Sequence, residues 1–103
     1  MKRHSLQLDW SCFDIPVGIK PTRLAQVPKK GKCFFISLAN LSNTFILFYS
    51  QDENVTIKNG LPLFPQSTVD LCVSQDLYGI VQTGNCHVRV KKLADYTPLD
   101  DQN

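Results

Sequence analysis

Apolar positions along this chain recur with a period of two. The clearest case is 85–91, NCHVRVK, where Cys86, Val88 and Val90 alternate with Asn85, His87, Arg89 and Lys91. Successive side chains of a strand point to opposite faces, so this pattern predicts a strand with one face in a core and one in water. Residues 67–73 repeat it, with Val69, Leu71 and Val73 on one face. Residues 33–38 (CFFISL) and 44–49 (TFILFY) are rich in aromatic and β-branched residues and apolar at nearly every position. Both faces of these two runs are expected to be covered. Further strands are predicted over 22–27 (TRLAQV), 53–57 and 77–81, and the expected core comprises Phe35, Ile46, Phe48, Val69, Leu71, Ile80, Val88 and Val90.

Turn chemistry separates the runs: Pro28-Lys29-Lys30-Gly31, residues 40–43, Asn59-Gly60, Ser74-Gln75-Asp76 and Thr83-Gly84-Asn85. Gly60 and Gly84 are expected at positive φ. Pro62 and Pro65 bracket Leu63-Phe64 and exclude a helix there. The resulting expectation is an all-β fold, a compact antiparallel β-sandwich or barrel of six to seven short strands with an extended N-terminal arm. The division is 1–14 as arm, 15–93 as the β-sandwich domain and 94–103 as a polar, acidic tail. Within the arm Leu6, Leu8 and Trp10 alternate and Phe13 follows, so an apolar stripe needs a surface to lie on, either the body of its own chain or a neighbouring subunit.

A chain of 103 residues with 43% hydrophobic content accommodates one domain with a small core. No apolar run approaches the ~20 residues of a membrane span, and the N-terminus lacks the apolar stretch of a signal peptide. The net charge of +2 hides an asymmetry: residues 1–32 hold seven of the eleven Lys and Arg against only Asp9 and Asp14. A basic arm and loop therefore precede a mildly acidic body. A solvated basic loop accounts for this, and contact with an acidic protein surface is the functional alternative. Nucleic acid is disfavoured, because basic residues are sparse and not interleaved with aromatics. The four cysteines (Cys12, Cys33, Cys72, Cys86) include no Cys-x2-4-Cys pair, which argues against zinc. With three of them in strand-like runs and no export signal, packed free thiols are the first reading and a disulfide the second.

Candidate chemistry is sparse. His87 occupies a solvent-facing strand position without an evident acid or nucleophile, and His4 lies in the arm. No phosphate loop, nucleophile elbow or framed carboxylate pair occurs. Asp52-Glu53 reads as a solvated turn; Asp52, Asn54 and Asn59 lack EF-hand spacing; and the Asn54-Val55-Thr56 sequon has no secretory signal to accompany it. The expectation is a non-enzyme with no cofactor and no metal.

Several motifs together carry a resemblance: Asn40-Leu41-Ser42-Asn43, Val55-Thr56, Asn59-Gly60, Pro62-Leu63, Pro65, Leu77-Tyr78-Gly79-Ile80 and Val88-Arg89-Val90. With Val17-Gly18 and 22–27 before them, they resemble a small β-domain of tailed-bacteriophage virion proteins, over roughly residues 15–93. In that domain a strand ends in N-x-S, a turn reads x-N-G-x-P-L and a last strand reads V-R-V. Gln66 departs from the pattern, which has glycine after proline, and implies a looser turn. The resemblance implies a structural virion protein, made in the bacterial host cytoplasm. It would act as a capsid decoration (cement) protein or as a neck, tail or fibre-attachment accessory. A carbohydrate-binding β-sandwich module is the remaining alternative. The implied partners are the major capsid protein or other virion structural proteins and further copies of the chain, with no membrane. The candidate partner-binding residues are Leu6, Leu8, Trp10, Phe13, Lys29 and Lys30.

Overall fold

The computed structural model describes residues 9–27 and 33–94. They form eight strands: β1 (Asp9–Val17), β2 (Thr22–Ala25), β3 (Phe34–Asn40), β4 (Leu47–Ser50), β5 (Leu61–Leu63), β6 (Thr68–Val73), β7 (Leu77–Ile80) and β8 (Cys86–Ala94). Two four-stranded antiparallel sheets, β1-β8-β3-β6 and β2-β7-β4-β5, face each other as a sandwich. The all-β expectation holds; the strands number eight, and they form two separate sheets instead of a closed barrel. The pairs β1·β8, β2·β7, β3·β6 and β4·β5 are nested, as if one long hairpin had been folded over itself. That is the connectivity of a jelly roll.

The core follows from the alternation. Val17 of β1, Ile36 and Leu38 of β3 and Cys86, Val88 and Val90 of β8 face Leu24, Leu47, Leu63 and Leu77 of the second sheet, all buried. Each such aliphatic side chain contributes ~1.5–3 kcal/mol relative to exposure. Ile80 is buried too, and Val69 and Leu71 pack against this cluster half-buried. Prolines fall where a missing N–H is tolerated: Pro16 on β1 and Pro62 on β5, both edge strands.

Several expectations are corrected. In 33–38 the inward face is Ile36 and Leu38, while Phe35 is 52% exposed on the outer face. In 44–49 the inward residues are Leu47 and Tyr49, and Ile46 and Phe48 are only half-buried. Phe48 points away from the core and is covered by the β4–β5 connection, whose Gly60 lies against it. Residues 53–57 form no strand; they belong to that connection, with Val55 buried at 1% exposure. Its turns are closed by side chains: the Asp52 carboxylate accepts from the Asn54 N–H, and the Asn59 carbonyl from the Thr56 N–H at 2.7 Å. These oxygens are thus occupied as turn acceptors. Gly60 does not adopt positive φ. It is glycine because a Cβ would sit 2.9 Å from Phe48 Cβ and 3.0 Å from Val55 Cγ2. Gly84 does have the expected conformation, with φ +69°.

Candidate interaction surfaces

The residues expected to contact a partner are distributed as follows. Leu6, Leu8, Lys29 and Lys30 lie outside the described residues. Trp10 stands on β1 opposite Leu93 of β8, and Phe13 opposite Val90. Residues 9–14 are extended as expected, and the surface they lie on is the body of their own chain. Phe13 is on the core side of the sheet near its end, 38% exposed, with the Lys92 ammonium 5.9 Å from its ring centroid. This cation–π geometry engages one face of the ring, about 0.5–1 kcal/mol at an exposed site. β1 begins and β2 ends at the same end of the sandwich, because each antiparallel pair reverses the chain. Asp9, where the described chain begins, and Ala25, where β2 ends, therefore lie toward one end of the molecule.

The opposite end is fixed by a polar cluster. Asn40, at the end of β3, is 1% exposed. Its amide nitrogen donates to the carbonyls of Phe45 (2.8 Å) and Leu63 (2.9 Å), and its amide oxygen accepts from the Ser42 N–H (2.9 Å). The Ser42 hydroxyl accepts from the N–H groups of Thr44 and Phe45. Gln66 then closes the cluster with a backbone φ of +63°, a region that β-carbon-bearing residues rarely adopt. Its side-chain nitrogen donates to Leu41 O, Ser42 O and Asn43 Oδ1 at 2.9–3.1 Å. The expected loosening at Gln66 is therefore absent: the residue takes the glycine-like conformation, and its amide ties the β5–β6 turn to the β3–β4 loop. The Asn-Leu-Ser motif is thus a structural clamp centred on buried Asn40, whose side-chain polar atoms are satisfied internally.

The outer face of the first sheet carries Cys12 and Asp14 of β1, His87, Arg89 and Lys91 of β8, Phe35 and Ser37 of β3, and Asp70 and Cys72 of β6, mostly exposed. Arg89 clamps Asp14 bidentately, Nε to Oδ1 at 2.9 Å and Nη2 to Oδ2 at 3.2 Å. That hydrogen bond holds the Asp14 carboxyl below its usual range and raises Arg89. Exposure to solvent makes the pair a minor contributor to stability. Cys33 and Cys72 form a disulfide, with Cα atoms 5.6 Å apart. This corrects the free-thiol reading: Phe35 pairs with Cys72, so Cys33 at the entry to β3 lies diagonally across from it, and both are outside the core. Of the other two, Cys12 is exposed and Cys86 is buried, where desolvation pushes its thiol pKa up. Beside Phe35 lies a shallow hollow of about 730 Å³ bordered by Cys12, Ser37, Asp70 and Lys91. Sequence reasoning missed this surface because it assigned Phe35 to the core. No family model, no curated protein and no solved structure matches the chain.

Proposed function

We propose that this chain is a structural virion protein of a tailed bacteriophage, one that decorates the exterior of the head shell by binding the major capsid protein. The observation that most supports it is the way the turn motifs of the resemblance serve one rigid frame. Asn40 and Ser42 of the N-x-S motif, tied down by Gln66 where the pattern has glycine, lock loops of a jelly roll, an architecture used by viral capsid domains. Large apolar side chains are left on its surface, with Ile19, Phe35, Leu61 and Phe64 each more than half exposed. In this reading the protein is not an enzyme and resides in the virion. Leu6 and Leu8 with Lys29 and Lys30 are assigned the contact with the shell, and acidic protein surfaces are the natural complement of those lysines. Residues 9–14 are strand residues of the body, so attachment is assigned to the segment before Asp9 and not to all of 1–14.

Copy number in purified virions tests the proposal. Hundreds of copies per particle are expected of a decoration protein. Tens or fewer would move it to a neck, tail or fibre-attachment position, and absence from the particle would overturn a virion role altogether.

A further inference from the structure

The outer face of the first sheet is electrostatically self-complementary. In one cross-strand row Lys91 of β8, Ser37 of β3 and Asp70 of β6 stand side by side. The charges lie two inter-strand spacings apart, about 10 Å, on either side of the hollow next to Phe35. Among the described residues neither Lys91 nor Asp70 has an ion-pair partner, whereas Arg89 in the neighbouring row is already matched by Asp14. We infer that this face binds a second copy of the chain, about a two-fold axis that lies between the sheets and runs parallel to β3.

The choice of axis follows from the charges. Rotation about that axis exchanges the two sides of β3, so β8 lies over the partner's β6. Each Lys91 then faces the partner's Asp70, twice per dimer, while Phe35 meets the partner's Phe35 along the axis. Arg89 faces the partner's Thr68, a neutral hydroxyl, because Ala39 pairs with both Arg89 and Thr68. An axis perpendicular to β3 would instead set lysine on lysine and aspartate on aspartate. Stacked sheets sit ~10 Å apart, a gap that a lysine and an aspartate side chain span together. Three facing strands cover about 15 Å by 20 Å, less than the ~800 Å² per partner of a stable interface. The dimer is therefore weak and reversible. This inference is independent of the virion reading and stands or falls by a different measurement.

Sedimentation of the full chain from about 5 to 500 µM tests it. A monomer–dimer equilibrium is expected. Asp70→Lys and Lys91→Asp should each weaken it about tenfold or more, since like charges would then face each other. The double variant should restore it to near the original strength. Both positions are exposed, and circular dichroism verifies that the variants fold. Should a reversal fail to fold, Asp70→Asn and Lys91→Gln are read instead, each with weakened association. A chain that stays monomeric throughout the range overturns the inference. So do single variants that associate like the parent, and so does a double variant that fails to recover.

Discussion

Replacing Asn40 by alanine probes the joint on which the loop end of the sandwich depends. The substitution removes a side chain that is 1% exposed and makes three hydrogen bonds. The bond to the Leu63 carbonyl is buried, and leaving that acceptor unpaired costs about 1–3 kcal/mol. The bonds to Phe45 O and from Ser42 N are only partly buried, so water replaces them at about 0.5–1.5 kcal/mol together. A loss of about 2–4 kcal/mol is expected, which for a domain of this size lowers Tm by roughly 10–25 °C. Asn40→Asp separates hydrogen bonding from packing. It keeps the acceptor for Ser42 but sets a carboxylate against two carbonyl oxygens, which raises its folded-state pKa above the ordinary ~3.9. A raised pKa means that the protonated form is favoured in the fold. The deficit of Asn40→Asp should accordingly shrink as the pH falls below that raised value and widen again as it rises. Thermal and urea melts at neutral and acid pH measure both effects. A melt of Asn40→Ala within about 0.5 kcal/mol of the parent would refute the clamp.

Gly60→Ala should destabilise by about 1–3 kcal/mol through overpacking against Phe48 and Val55; a neutral thermal melt would mean that the β4–β5 connection does not lie on β4. Gly84→Ala should cost a similar amount, because a Cβ at φ +69° would also stand 2.8 Å from the Phe45 ring. Denatured without reductant, the chain should show two thiols to an alkylating reagent and with reductant four, and Cys72→Ser should lower stability by up to ~4 kcal/mol for a bridge closing 39 residues. Four thiols in oxidised protein would exclude the bridge. The depressed pKa of Asp14 stabilises the fold above the unfolded-state value of 3.8, and that small contribution is lost as pH falls through the lower folded value. Arg89→Gln should remove that part of the acid dependence, as read from melts between pH 2 and 5.

The strands with strict alternation were legible in the amino-acid order alone. In 85–91 only one parity is apolar, and in 67–73 only Cys72 interrupts the polar parity, so Val73, Val88 and Val90 are set to face a core, and they are buried. The glycine at 84 was equally legible, since turn conformation is a local property. In 33–38 and 44–49 both parities are apolar, and local sequence held no preference between Phe35 and Ile36 or between Ile46 and Leu47. Pairing with distant strands decided it: β3 is set by β6 and β8, so that Ile36 and Leu38 share the inward face with Val90 and Leu71, and Phe35 is turned out. The same pairing brings Cys33 beside Cys72 and Asp14 onto Arg89, and none of these neighbours is near in sequence. Asn40 and Gln66 were visible as turn residues, but their roles required the loops of β3–β4 and β5–β6 to meet. Period and turn chemistry thus fixed the class of fold, because they act within a few residues. The faces, the bridge and the buried clamp came from register between strands many residues apart, which only the folded sandwich sets.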